Sequence, residues 1–185
     1  MNKTEQTQET IIGEKTLLLP FAEYDLGNFI RLHRADKNNN MGRFCLKDYT
    51  DEQALVYITS ELNQGQLFVW TVYTKDEEPV FAGFIYLTNV SSYMVSLHGI
   101  ADKTMMKRKG LAYDAAKTLI NKLFEKGVNR IETDVCESNR AALALDKKLG
   151  FVKEGVLRNH VIKDKGFENL VILSILREEH LDGKK

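Results

Sequence analysis

A basic cluster followed by a glycine is the stretch of this sequence best suited to binding an anion. The cluster is KRKG at residues 107–110, and apolar residues recur at helical spacing after it, up to Gly127. The first N–H groups of a helix lack backbone partners and carry partial positive charge. Because an apolar run at 94–100 precedes the cluster, the sequence predicts a strand, a basic turn and a helix start that accepts phosphate.

Other residues that could do chemistry are few and far apart. Cys45 and Cys136 give neither a disulfide framework nor a metal-ligand spacing, and no histidine partner is evident that would activate Cys136 as a nucleophile. Lysine plus arginine (26) equals aspartate plus glutamate (26). We therefore expect no metal, no nucleic-acid partner and no membrane partner. The N-terminus lacks a signal-peptide core, and a reducing, cytoplasmic location is the simple interpretation.

The chain has the length of one domain with a sizeable core, at 185 residues. Predicted strands are 16–21, 67–74, 80–87, 94–100, 130–135, 151–162 and 168–176, and predicted helices are 22–35, 50–65, 110–127 and 139–150. This order indicates the α+β class, with one mixed, mainly antiparallel sheet of about seven strands and helices on both faces. We expect residues 1–13 to be a flexible tail, 14–178 one domain, and 179–185 a polar tail.

Two motifs resemble those of the GNAT superfamily of N-acetyltransferases and follow one another in the order found in that family. Lys107-x-x-Gly110-x-Ala112 is similar to the family's Gln/Arg-x-x-Gly-x-Gly/Ala pyrophosphate loop, with lysine at the first position. The pattern N-x-x-A-x-x-L-x-x-x-L-G-F-x-x-E-G, from Asn139 to Gly155, looks like the later motif of the RimJ/RimL-type branch. The resemblance covers roughly residues 15–178. It implies a GNAT-like domain with splayed central strands and acetyl-CoA as cosubstrate.

The resemblance also implies where the cofactor binds. The strand edge before the central helix should bond the pantetheine amides, the basic loop should meet phosphates, and the motif asparagine should lie near the pantetheine. The residues expected to bind the cofactor are Leu97, Gly99, Ile100, Lys107, Arg108, Lys109, Gly110, Leu111, Ala112, Asn139 and Lys147. Simpler interpretations stay open, because a basic turn can be merely solvated and an asparagine can be a plain helix cap.

The catalytic groups do not transfer as readily from the resemblance. His98, on the strand that should face the acetyl group, and Glu132, on the next strand, are candidate bases, with a surface histidine and a solvated carboxylate as the alternatives. Many relatives carry a tyrosine seven residues after the motif asparagine as a general acid, where this chain has Asp146. An ionised aspartate cannot donate a proton, so we expect this acid to be missing. Ala142 likewise replaces a common serine.

The sequence thus predicts an acetyl-CoA-dependent N-acetyltransferase that transfers the acetyl group directly to an amine. The acceptor is either a protein N-terminus or a small amine such as a polyamine, for which acidic residues at 48–52 and 76–78 could form a site. The first two helices and the 36–49 loop are expected to shape the acceptor pocket. The alternative is a catalytically weak acyl-CoA-binding module with an interaction or regulatory role. A homodimer is also left open.

Overall fold

An open mixed sheet organises the fold in the computed structural model, which describes residues 8–35, 46, 48–102, 104, 110–163 and 166–182. Its eight strands among these residues are β1 (Ile11–Ile12), β2 (Thr16–Pro20), β3 (Phe68–Thr74), β4 (Phe81–Thr88), β5 (Met94–Ala101), β6 (Arg130–Cys136), β7 (Val152–Lys163) and β8 (Gly166–Leu176). The spatial order is β1-β2-β3-β4-β5-β6-β8-β7, and only β5 and β6 run parallel. The α+β class and the mostly antiparallel sheet are confirmed, with one strand more than expected.

Helices cover the two faces of the sheet. The helices are α1 (Leu26–Ala35), α2 (Asp51–Asn63), α3 (Leu111–Glu125), α4 (Arg140–Leu149) and α5 (Arg177–Asp182), and a short 3-10 turn at Glu23–Asp25 precedes α1. Because side chains alternate along a strand, β4 contributes to both cores. Phe84 and Tyr86 pack with α1 and α2, whereas Ile85 and Leu87 pack with α3. The sheet therefore lies between α3 on one face and α1 and α2 on the other.

Regular secondary structure extends into both segments that the sequence predicts to be tails. Within the expected N-terminal tail, β1 pairs with β2, Ile11 is buried, and Trp70 Nε1 donates a hydrogen bond to the Glu9 carbonyl at 3.1 Å. At the other end, α5 continues to Asp182. A two-residue strand is too short to give an alternation signal, which is why the sequence missed it. The proposed domain boundaries themselves stay a prediction, and the predicted 36–40 loop lies outside the described residues.

Gly83 fixes the register between β4 and β5, and its replacement gives a test of this packing. Its φ is +143°, and an added Cβ would lie 2.2 Å from the Ile100 carbonyl oxygen. We expect Gly83→Ala to lower the free energy of unfolding by more than about 3 kcal/mol, from backbone strain and the clash. Urea unfolding measures this. Gly155→Ala is the control because nothing lies near its added Cβ, and an equal loss in both variants would contradict the prediction.

Candidate active site

A gap opens between β5 and β6 in the middle of the sheet. The two strands are paired only at Met94–Arg130, Val95–Ile131 and Ser96–Glu132. After that point, β5 continues beside β4 and β6 continues beside β8. No described strand pairs with the facing edges at 97–101 and 133–136, so their backbone groups on this side are open to a ligand. The expected splay is present, and Leu97, Gly99 and Ile100 all lie on its β5 edge.

The start of α3 provides the anion-binding geometry expected from the sequence. Gly110 is the N-cap, with φ of +96°, a left-handed conformation that favours glycine. The Asp114 N–H donates to the Gly110 carbonyl at 2.9 Å, whereas the earlier N–H groups have no partner within the helix. Ala112 is exposed and Leu111 is half-buried. Lys107, Arg108 and Lys109 lie outside the described residues, so their predicted role stays a prediction.

Two lysines that the sequence motifs did not identify lie beside this helix start. Lys15 Nζ lies 3.2 Å from the position that a Cβ on Gly110 would take. Lys148 Nζ lies 4.3 Å from the centre of the Tyr113 ring, in the first turn of α3. The predicted ligand Lys147 is exposed on α4, and its neighbour Lys148 is the residue that contacts α3. Spacing alone could not show the contact between Lys15 and Gly110, which depends on long-range packing.

Asn139 acts as the cap of α4. Its Oδ1 accepts a hydrogen bond from the Ala142 N–H at 3.2 Å, and its own N–H donates to the Cys136 carbonyl at 2.8 Å. The cap therefore holds α4 against the end of β6, next to the gap. Within the described residues, the side-chain Nδ2 makes no further hydrogen bond, so a ligand can use it as a donor.

His98 lies on the face of β5 that α1 and α2 cover, at the edge of the gap. Its Nε2 is 3.0 Å from Thr88 Oγ1, and its ring stacks on Tyr86 with centroids 5.3 Å apart. Tyr86 in turn donates to buried His33, whose Nδ1–H donates to the Phe29 carbonyl. Burial lowers the pKa of His33 to about 4, so His33 is neutral. His98 is therefore supported by a fixed neutral network and is only half-buried itself.

Glu132, the other candidate base, is held in an ion pair. Its Oε1 accepts from Arg130 Nε at 2.7 Å, and Arg130 also reaches Glu154 at 3.0 Å. Arg130 and Glu132 are two residues apart on one strand, so they share a face, which the sequence could have indicated. The Glu132 side chain is therefore already engaged with Arg130 rather than directed at a substrate amine. His98 is accordingly the better candidate base.

Asp146 differs from the expectation that it is simply ionised. It lies on the core-facing stripe of α4 with Ala142, Leu143 and Leu149. Its Oδ2 is buried and has no hydrogen-bond partner in the described structure. Burial, reinforced by the nearby charge of Asp134, raises the pKa of Asp146 to about 6. A protonated fraction therefore exists near neutral pH, and Asp146 can donate a proton after all.

Cys136 lacks the properties of a nucleophile. Its side chain is buried at the end of β6, and burial raises the pKa of its thiol. A protonated thiol is a weak nucleophile, which argues against a covalent acetyl-enzyme. Cys45 lies outside the described residues.

Comparison with known proteins identifies the family. A family model described as "Acetyltransferase (GNAT) domain" matches residues 15–152. The chain belongs to the GNAT acetyltransferase family. A curated GNAT relative, the [ribosomal protein bS18]-alanine N-acetyltransferase of Salmonella typhimurium, is 31% identical over 113 residues, which are 61% of this chain and 74% of that protein. The Escherichia coli K12 enzyme of the same name is 30% identical over the same shares.

Solved structures show the same GNAT fold. RimL, a ribosomal L7/L12 alpha-N-protein acetyltransferase in complex with coenzyme A, has a TM-score of 0.73 at 13% identity, covering 91% of this chain and 98% of that one. The spermidine/spermine N-acetyltransferase SpeG from Vibrio cholerae has a TM-score of 0.74 at 18% identity, covering 92% and 98%. At these identities the likeness shows the fold alone. Family and relatives together make this GNAT protein an acetyl-CoA-dependent N-acetyltransferase.

The residues present fit acetyl-CoA. A helix start with an open glycine suits the phosphates, and an unpaired strand edge suits the two amides of the pantetheine arm. The described part of the chain has no helix long and apolar enough to cross a membrane.

Proposed function

We propose that the protein acetylates the α-amino group of a protein N-terminus, by direct transfer within a ternary complex. The gap between β5 and β6 carries this proposal, because it opens the sheet from the α3 side, where phosphates would bind, to the face that holds His98. An extended cofactor in this gap would present its thioester to an amine arriving from the α1 and α2 face. We also expect the protein to be cytoplasmic, and a homodimer stays open.

The cofactor contacts follow from the positions of the predicted ligands. Gly110, Leu111 and Ala112 form the helix start that would bind the pyrophosphate, and the β5 edge at 97–100 would bind the pantetheine amides. Asn139 would add a side-chain donor from the opposite side of the gap. Bound in this way, acetyl-CoA supplies an activated acyl group. A backbone N–H on the open edge can then stabilise the oxyanion formed when the amine attacks.

The acid–base groups favour an α-amino acceptor. Such a group has a pKa of about 7.7–8.0, so a useful fraction is neutral at pH 7 without an enzymatic base. His98 can take up the proton released after attack, since its imidazole lies at the edge of the gap and is partly exposed. The name of the bS18 relatives gives an alanine of a ribosomal protein as the acceptor. These observations support a protein N-terminus as the substrate class.

We infer that Asp146 protonates the departing thiolate. Asp134, whose charge it experiences, lies on the part of β6 that has separated from β5. Asp146 and the cap residue Asn139 are two helical turns apart on α4, which places both on one side of the helix. The carboxyl proton would pass to the coenzyme A sulfur as its bond to the acetyl carbon breaks. The carboxylate formed then regains a proton from water.

A polyamine is the second candidate acceptor, and one surface favours it. Asp48 and Glu52 line an open cleft on α2 beside the rings of Tyr49 and Tyr57, whose centroids are 5.7 Å apart. Carboxylates and aromatic faces both attract ammonium groups. Asp51, from the same acidic stretch, is instead paired with Arg34, so its charge is already compensated. This pairing leaves a smaller acidic site than the sequence suggested.

A panel of amines tests the proposal by release of coenzyme A. We expect turnover with a peptide that begins with alanine, no turnover with the same peptide blocked at its N-terminus, and much slower turnover with spermidine. Preference for spermidine would select the polyamine alternative. Binding of acetyl-CoA with no turnover for any amine would instead favour the catalytically weak module.

A further inference from the structure

The turn between β1 and β2 is fastened to the first turns of α3 by Asp114. The buried carboxylate of Asp114 accepts hydrogen bonds from Glu14 N–H at 3.2 Å, Lys15 N–H at 2.9 Å and the Thr16 hydroxyl at 2.6 Å. Gly13 leaves the space for this contact, since an added Cβ would lie 2.4 Å from Asp114 Oδ2. The carboxylate is therefore fully used in holding this turn, one hundred residues away along the chain.

The same turn is also held by Lys75, the residue that follows β3. The Lys75 N–H donates to the Lys15 carbonyl at 2.8 Å, and Lys75 Nζ donates to the Gly13 carbonyl at 3.1 Å. Hydrogen bonds from two elements thus fix the backbone of Lys15. The Cα of Lys15 therefore has a fixed position relative to α3, although its side chain is exposed.

The ammonium group of Lys15 lies beside the positive end of a helix. It is next to Gly110, at the N-terminal end of a helix fifteen residues long, where the helix carries partial positive charge. No carboxylate in the described structure forms an ion pair with Lys15. A cation and a set of unpaired N–H groups that converge from two elements are complementary to one anionic group between them.

We propose that Lys15 binds the phosphate groups of acetyl-CoA, and that Asp114 is the positioning residue that holds the turn carrying it. The inference rests on the proposed function, since it uses the same cofactor site. It adds a ligand from the turn between β1 and β2 to those that the sequence predicts in the loop before α3. Lys148, whose Nζ lies 4.3 Å from the centre of the Tyr113 ring, is a second cation near the first turn of α3.

Steady-state kinetics with two acyl donors tests this assignment. We expect Lys15→Ala to raise KM for acetyl-CoA about tenfold with little change in kcat, as for one lost charge-assisted hydrogen bond. S-acetylpantetheine has no phosphate, so kcat/KM for this donor should be the same in the variant and the wild type. Lys15→Arg should restore most of the affinity. Lys153→Ala, on the exposed face of β7, should match the wild type with both donors.

Asp114→Asn tests the positioning role. The amide keeps the size of the side chain but turns one acceptor into a donor that faces the N–H groups of the turn. We expect the same pattern as for Lys15→Ala, a higher KM for acetyl-CoA with S-acetylpantetheine unaffected. A loss that is equal for both donors would show a general structural defect and overturn the assignment.

These experiments distinguish failure of the Lys15 assignment from failure of the proposed function. If the wild type uses acetyl-CoA but Lys15→Ala has an unchanged KM, the Lys15 assignment is wrong and the proposed function stands. If the wild type binds no acyl-CoA at all, the proposed function itself fails.

Discussion

Gly110→Glu is expected to weaken acetyl-CoA binding at least about a hundredfold, through loss of two or more charge-assisted hydrogen bonds at the start of α3. The glutamate would place negative charge and bulk where a phosphate should approach the open N–H groups. Calorimetric titration of the wild type and the variant with acetyl-CoA measures the effect.

Gly127→Glu is the matched control for this experiment. Gly127 lies just beyond the other end of α3, with φ of +93° against +96° for Gly110, and nothing lies near its added Cβ. The two variants therefore share the backbone strain and the added charge, and they differ in which end of the helix receives them. Wild-type affinity in Gly110→Glu, or an equal loss in both variants, would contradict phosphate binding at the helix start.

Asp146→Asn is expected to slow acetyl transfer and to stabilise the fold at neutral pH. Without a carboxyl proton for the departing thiolate, we expect kcat to fall about a hundredfold, which is within the usual range for a general acid. An amide occupies the same buried position without a charge to desolvate. Stopped enzyme assays and urea unfolding of the same preparations measure the two effects. A kcat equal to that of the wild type at every pH would remove Asp146 from the mechanism.

The pH dependence of stability isolates the cost of burying Asp146. The pKa rises from an ordinary 3.8 to about 6 in the folded state, so between these values the folded chain holds more protons than the unfolded chain. Stability therefore falls as pH rises through this window, and the ionised group then costs about 3 kcal/mol. We expect Asp146→Asn to match the wild type below about pH 4 and to exceed it by this amount at pH 7.

Two other groups must be considered in that comparison. Buried His33, with its pKa lowered to about 4, contributes stability that is lost as pH falls from its unfolded value of about 6.5. This contribution has the opposite slope but is the same in both proteins, so it cancels in their difference. Asp134→Asn removes the negative charge that helps to raise the pKa of Asp146. This variant should lower that pKa and so narrow the pH range over which stability falls.

The sequence predicted the elements of the site better than its individual contacts. Helical spacing after Gly110 located α3, and the asparagine before α4 is both the cap and the motif residue. Lys15 could not be found in this way, because its contact with Gly110 arises from packing between distant segments. That packing depends on β1, a strand two residues long that no periodicity test would detect.

The structure differs from the expectation that Asp146 is ionised, although the sequence contains a signal for its burial. The stripe of α4 that contains Ala142, Leu143 and Leu149 also contains Asp146, so helical spacing alone places a carboxyl among apolar side chains. Burial of a carboxyl raises its pKa, so this pattern indicates a partly protonated side chain. The ion pair of Glu132 could also be predicted from the sequence. Arg130 lies two positions earlier on the same strand, so both side chains share one face.

Transfer of an isotopically labelled acetyl group from acetyl-CoA to the N-terminus of an alanine peptide tests the central claim directly. Mass spectrometry of the peptide and of the intact protein, taken early in the reaction, locates the label. Direct transfer predicts labelled peptide and an unlabelled protein, in agreement with the buried, protonated thiol of Cys136. Label on the protein before it appears on the peptide, or no labelled amine with any acceptor, would contradict the account.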